Sequence, residues 1–389
     1  MQNFGIYIHI PFCQKKCKYC DFISFDKCDE KIKEKYVNAL IKEIENYCRG
    51  RVPLLPSNNN PQKITTIYIG GGTPSILSAE QIQKILQKIK EKFILDENAE
   101  ITIEINPGTV DFTKLENYKK IGINRLSIGL QSTDDRILKL LGRVHNYDDF
   151  LKTYDNAKKI GFKNINVDLM LGLPTQDLFI LEESLQNVIN LNPEHISLYS
   201  LILEEGTELE KLVLNNQLEM ISEDLERKMY WKTKDILEKN GYKHYEISNF
   251  SKPGFESKHN VSCWEQEEYI GFGLSAHSYI NKKRFSNIEN LQEYISNIEN
   301  QEFEKNVILQ ENDQTFEIQA KEYMMLGLRK IDGVSISKFE QKFQINPLFY
   351  FRFEISKLEE ERLIEVDLDH ILLTKKGLDF ANRVFQKFV

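Results

Sequence analysis

Ile6-Tyr7-Ile8-His9-Ile10-Pro11-Phe12, followed at once by Cys13-Gln14-Lys15-Lys16-Cys17-Lys18-Tyr19-Cys20, decides how this chain is read. A short apolar run delivers three thiols at CxxxCxxC spacing. Three thiols instead of four describe a metal centre with one position left open: a 4Fe-4S cluster normally takes four cysteine ligands, so one iron stays free for a small molecule. A structural zinc site is the alternative. It would want a fourth Cys or His at finger-like spacing, and the nearest candidate, Cys28, lies eight residues beyond Cys20 on a charged stretch. Six cysteines in 389 residues, with no secretory segment, are too sparse for a disulfide-stapled fold. Cys28, Cys48 and Cys263 read as ordinary thiols that pack as small hydrophobes.

Working outward, a chain of 389 residues can hold one barrel-sized domain and a smaller one. Apolar residues make up 41% and charged residues 28%, as in soluble globular proteins, and no apolar run approaches membrane-spanning length. A cytoplasmic location is expected, and a reducing compartment suits an oxidation-sensitive cluster. The net charge of −8 argues against a broad nucleic-acid footprint. Local basic runs, Lys15-Lys16 and Lys282-Lys283-Arg284, suit carboxylate-bearing ligands, although solvated surface is their simpler reading.

Strand-like runs alternate with amphipathic helical stretches, the pattern of a parallel α/β fold. The strands expected are Gly5 to Ile10, Ile64 to Ile69, Ile101 to Ile105, Arg125 to Leu130, Asn164 to Leu171 and His195 to Leu201. Six β/α units predict a β/α barrel, and an incomplete one. The unusual polar and glycine residues fall at the carboxyl ends of these strands: the cysteines, Gly70-Gly71-Gly72-Thr73-Pro74, Glu104, Gln131 and Ser200, with Asp168 inside the fifth. That shared phase marks an active face. Pro53 to Pro61 reads as an exposed insertion loop, Ser222 to Lys239 as a helix, and Tyr242 to Phe250 as a further strand. The organisation expected is a barrel core over 1–205, a barrel extension over 206–313, and a winged-helix-like domain over 314–389, with a strand pair around Leu363 to Thr374.

A glycine triplet permits close backbone approach and dihedrals forbidden to other residues. Glu104 interrupts an apolar strand, where a charge is costly unless paired or bound to a ligand. A carboxylate there suits ribose hydroxyls or an ammonium group, and the alternative is an internal partner for Arg125 or Arg143.

The CxxxCxxC loop resembles the signature of the radical S-adenosylmethionine (radical SAM) superfamily, in which that cofactor occupies the open iron. The full order of motifs, Tyr7 to Cys13, the glycine motif, Glu104, Gly129-Leu130-Gln131-Ser132, Leu141-Gly142-Arg143, Asp168-Leu169-Met170 and Gly271-Phe272-Gly273, resembles the oxygen-independent coproporphyrinogen III dehydrogenase family over almost the whole chain. The resemblance implies cluster ligation by Cys13, Cys17 and Cys20. It also implies S-adenosylmethionine sites lined by Tyr7, Tyr19, Gly71, Gly72, Thr73, Glu104, Gln131, Arg143, Asp168, Ser200 and His277.

Two features are similar to the haem-chaperone branch of that family. Cys20 is followed by Asp21-Phe22, where the decarboxylating branch has a further cysteine. Lys258-His259-Asn260-Val261-Ser262-Cys263-Trp264 resembles the branch's haem motif, His-Asn-x-x-Tyr-Trp, with Cys263 in place of Tyr. This implies His259 as haem-iron ligand, against the alternative of a surface histidine beside a buried thiol. If the stretch is helical, His259 and Cys263 share one face and cannot grip opposite sides of one haem. The resemblance thus implies a protein that carries a 4Fe-4S cluster with S-adenosylmethionine, binds haem and delivers it to an acceptor protein, with peripheral contact to membrane-bound acceptors left open. The alternatives are oxidative decarboxylation of coproporphyrinogen III and, for the C-terminal domain, a nucleic-acid reader, against which the acidic balance speaks.

Overall fold

The computed structural model describes residues 4–47, 63–309 and 315–389; Cys48 and the Pro53 to Pro61 loop lie outside them. Six strands run parallel in chain order: β1 (Phe4–Ile10), β2 (Lys63–Gly71), β3 (Ile94–Ile105), β4 (Arg125–Gln131), β5 (Ile165–Leu171) and β6 (His195–Ser200). The third strand begins well before the expected Ile101. Its polar opening, Asp96-Glu97-Asn98, hides the pattern; Ile94 and Leu95 pair with Lys63 and Ile64, and Lys63 holds Asp96 at 2.8 Å.

The sheet continues past both ends of this parallel set. A hairpin, β7 (Lys243–Glu246) and β8 (Asn249–Ser251), adds antiparallel to β6. The single strand expected over Tyr242 to Phe250 is therefore two, reversed at Ile247-Ser248, where the Glu246 carboxylate accepts from the Ser248 amide and the Asn249 side chain. On the other side β9 (Glu268–Phe272) runs parallel to β1, followed by antiparallel β10 (His277–Ile280), β11 (Lys283–Asn287) and β12 (Val307–Leu309). The order β12-β11-β10-β9-β1-β2-β3-β4-β5-β6-β8-β7 has two ends, so the barrel is incomplete, as the sequence predicts.

Strand alternation sorts side chains to two faces. Ile6, Ile8, Ile67, Ile69, Ile101, Ile103, Leu126, Ile128 and Val167 are buried against the helices. The other face is polar and equally enclosed: Thr102, Arg125, Ser127, Asn166, His195 and Ser197 are all buried in the barrel interior. Their positions alternate with the apolar ones along the same strands.

The C-terminal residues form a second core around Met324, Leu328, Phe339, Leu358 and Ile371. Helix Phe316–Gly327 is followed by β13 (Val334–Ser335), helices Ile336–Phe343 and Arg352–Glu360, and the antiparallel strands β14 (Ile364–Val366) and β15 (His370–Leu373), in the sheet order β13-β15-β14. This is winged-helix order. The sequence shows the strand pair but not β13, because two residues carry no periodicity. At the wing turn Asp367 accepts from the amides of Asp369 and His370, leaving Leu368 fully exposed.

This domain docks beside the hairpin and the strands following β9. Ile247 N donates to Arg329 O and Ile331 N to Tyr245 O, both at 3.1 Å, while Glu322 accepts from Arg284 at 2.7 Å. Between these contacts lies helix Lys258–Trp264, with Arg329 over the Trp264 ring at 4.5 Å.

Candidate functional site

The cysteine loop is fixed at its base by backbone pairing. Cys13 N donates to Phe25 O at 3.0 Å, Phe25 N to Pro11 O at 2.8 Å, and Lys18 N to Leu141 O at 3.0 Å. Cys13 is buried; Cys17 and Cys20 are half-buried. The Thr73 hydroxyl points at Cys13 Sγ (3.6 Å) and Arg143 Nη1 at Cys17 Sγ (3.5 Å). Burial, with the Cys17 and Cys13 thiols close by, pushes the Cys20 thiol up to about 11, and burial raises Cys13 as well. Such thiols become ligands when a metal supplies the missing positive charge. Among the described residues no three His, Cys, Asp or Glu side chains crowd closely enough to hold a single metal ion. The three thiols lie near enough to act on one another electrostatically, and three thiolates, one per iron, are the ligand set of a 4Fe-4S cluster with one open position.

The glycine motif is explained by what leans on it. Gly71 has φ +112°, and a Cβ there would stand 2.8 Å from the His9 ring. At Gly72 a Cβ would meet Phe12 O at 2.8 Å and Cys13 Sγ at 3.0 Å. The motif therefore lets β2 pass directly under the cysteine loop, and Gly72 N and Thr73 N bond back to Ile10 O and Phe12 O.

Glu104 stands inside the barrel mouth. It accepts from the Tyr68 hydroxyl at 2.9 Å, and Arg125 and Asp168 lie near enough to act on it electrostatically. Burial first, then Asp168, pushes its carboxyl up to about 7 despite the bond from Tyr68. No ion pair joins it to Arg125 or Arg143. Asp168 is also raised by burial, and accepts from Asn166 (2.7 Å) and Ser127 (3.3 Å). Arg143 is anchored by Asn106 Oδ1 and Gly129 O, both at 2.7 Å, and its Nε has no hydrogen-bond partner among the described residues. Tyr7 stacks on Tyr68 and bonds to His9 Nδ1 at 3.1 Å. Tyr19 sits between Arg143 and the cysteines, its phenol raised by burial. Gln131 ends β4 with φ 72°, crowding with Arg143 over Gly129.

Thus Tyr7, Tyr19, Gly71, Gly72, Thr73, Glu104, Gln131, Arg143 and Asp168 share one end of the barrel. Ser200 pairs with Leu171 at the same end of β6, without a side-chain bond to the group. His277 opens β10, exposed, and acts electrostatically on His9. A cavity of about 320 Å³ opens beside the thiols, bordered by Lys16, Cys17, Cys20, Asp21, Gly206 and Thr207. His9, Tyr68 and Asn106 are site residues that the motif reading passed over. The signal for the first two was the polar alternation along β1 and β2.

The helical stretch Lys258–Trp264 lies at the opposite end. Ser257 caps it, and Glu100 accepts from the amides of Lys258 and His259 at 3.3 and 3.2 Å. His259 is not on the surface: it is 7% exposed, its Nδ1 is 2.9 Å from Thr66 Oγ1, and its ring stacks on Tyr68 with centroids 5.2 Å apart. Burial pulls its imidazole down to about 4, so it is neutral, the form that ligates iron. Burial pushes the Cys263 thiol up to about 11.

An incomplete parallel barrel with three thiols and a glycine motif at its carboxyl end defines a radical SAM protein, and residues 7–188 match the Radical SAM superfamily. Residues 317–380 match the HemN C-terminal domain. The fold is shared by coproporphyrinogen III oxidase (HemN) from Escherichia coli, a radical SAM enzyme, with a TM-score of 0.84 and 23% identity over 100% of this chain and 90% of that one. The chain is 36% identical to the haem chaperone HemW of Lactococcus lactis, covering 98% of this chain and 96% of that protein. It is 38% identical to HemW of Bacillus subtilis over 98% of both. The chain belongs to the HemW family of haem chaperones.

Proposed function

We propose that this protein binds haem and hands it to an acceptor protein, with a 4Fe-4S cluster on Cys13, Cys17 and Cys20 and S-adenosylmethionine on the open iron. The observation that carries the reading is the full-length likeness to HemW chaperones together with a thiol trio that Thr73 and Arg143 meet only through long contacts of 3.6 and 3.5 Å. Held by Cys13, Cys17 and Cys20, a reduced cluster would supply one-electron chemistry to the cofactor. The chain's own residues do the rest: Glu104 and Asp168 offer acceptors for ammonium or hydroxyl groups, Arg143 and Gln131 offer donors, and Tyr7 closes one side. Ser200 and His277 complete the rim. His259 is the candidate iron ligand, reached once its contact with Thr66 opens. Acceptors at a membrane surface fit as well as soluble ones; no helix among the described residues is long and apolar enough to cross a membrane.

The test is an anaerobic optical titration of cluster-reconstituted protein with haem. Saturation near one haem per chain, weakened by His259→Ala, is expected. Conversion of coproporphyrinogen III by the reduced protein, with no haem bound, would overturn the reading.

A further inference from the structure

Two sites that the sequence treats as separate are joined through one side chain. Tyr68 lies on β2 between them. Its hydroxyl donates to Glu104 Oε1 at 2.9 Å, and its ring lies nearly parallel to the His259 imidazole, 27° between planes with centroids 5.2 Å apart. Thr66, two residues earlier on the same strand and therefore on the same face, holds His259 Nδ1 at 2.9 Å. On its other side Tyr68 stacks on Tyr7, whose hydroxyl reaches His9 Nδ1. The chain Glu104, Tyr68, His259, Thr66 thus runs through the barrel interior from the mouth to the far end, with each member touching the next.

Packing alone would account for a buried tyrosine. It does not account for a phenol whose only hydrogen-bond partner among the described residues is a carboxylate at the mouth. A ligand that takes Glu104 as its own acceptor competes with that hydroxyl, and a buried phenol deprived of its partner reorients to find another. Reorientation of the ring withdraws the stacking surface of His259. Resting on the reading that Glu104 meets S-adenosylmethionine and His259 meets haem, we infer that Tyr68 is a positioning residue that couples the two: cofactor bound at Glu104 loosens the His259 latch and so tightens haem binding.

Such a coupling is reciprocal, and couplings of this kind commonly span about 5- to 150-fold in affinity. The experiment is a haem titration of the full, cluster-reconstituted chain with and without S-adenosylmethionine, for the native protein, Tyr68→Phe, Thr66→Val and His259→Ala. Native protein should bind haem at least about fivefold more tightly with the cofactor present. Tyr68→Phe keeps the ring and removes the bond to Glu104, so its haem affinity should no longer respond to the cofactor while its cluster absorbance is unchanged. Thr66→Val weakens the latch directly, so its cofactor-free affinity should rise toward the native cofactor-bound value. A native affinity that the cofactor leaves unmoved or weakens, or a Tyr68→Phe protein that keeps the full response, overturns the coupling. Should Tyr68→Phe fail to fold, the Thr66→Val arm decides. Native haem binding in His259→Ala would instead overturn the assignment of His259, a separate outcome.

Discussion

The mouth of the barrel and its floor are built from the same strands in opposite ways. At the mouth, polar groups are gathered but left with capacity: Arg143 Nε has no hydrogen-bond partner among the described residues, Glu104 is raised toward neutrality, and half-exposed thiols border a cavity. At the floor, side chains are enclosed and mostly meet one another: His195 bonds to Asn166 (2.6 Å) and Tyr245 (2.7 Å), His259 to Thr66, and Glu100 to a helix start, while Thr102 Oγ1, Arg125 Nε and Trp264 Nε1 lack a partner among the described residues. The two ends differ in openness and charge: the mouth borders a cavity and holds an acid raised by burial, whereas the floor closes around histidines that burial keeps neutral. That difference fits the proposed cofactor site at one end and the proposed latch at the other.

The sharpest way to break this contrast is Cys17→Ala. It should abolish the visible absorbance of the reconstituted cluster while far-ultraviolet circular dichroism stays native; an unchanged absorbance would remove the thiols from the metal. Next in size is Glu104→Gln. A buried acid whose folded pKa rises to about 7 binds its proton more tightly folded than unfolded, so its contribution turns unfavourable as pH climbs from about 4.5 to about 7. The stability difference between variant and native, measured by denaturant unfolding of cluster-free protein, should shift toward the variant across that window by at most roughly 3 kcal/mol. A flat difference would mean that Glu104 is ionised without penalty.

Gly72→Ala presses a methyl on Phe12 O and Cys13 Sγ, and should cost about 1–3 kcal/mol with looser cluster retention. Haem affinity measured with intact cluster and no S-adenosylmethionine should stay native, because the added methyl meets Phe12, Cys13 and Ile10 and not Glu104, Tyr68 or His259. The smallest effect belongs to the floor: Thr66→Val forfeits one buried hydrogen bond, about 1 kcal/mol in thermal unfolding, with cluster absorbance untouched. A cluster lost in Thr66→Val would erase the distinction between the two ends.

Much of the mouth was legible because its residues break local rules: cysteines behind an apolar run, glycines in a row, a glutamate in an isoleucine strand. The parallel core was legible for the converse reason, since Ile101 to Ile105 or Arg125 to Leu130 repeat a burial pattern. What escaped was set by partners distant in sequence. Asp96 joins β3 because Lys63 meets it, β13 exists because Val334 pairs with Ile371, and the hairpin turns because Glu246 gathers its amides. The buried placement of His259 likewise depends on Thr66, 193 residues away.

The docking of the winged domain has a consequence for solubility. β7 ends the large sheet, and an uncovered strand edge invites pairing with another chain. Here the edge is occupied: Tyr245 O and Ile247 N bond to Ile331 and Arg329, and Glu246 bridges to Lys330. The domain thereby covers this edge, and a chain truncated before it should present the edge to its own copies.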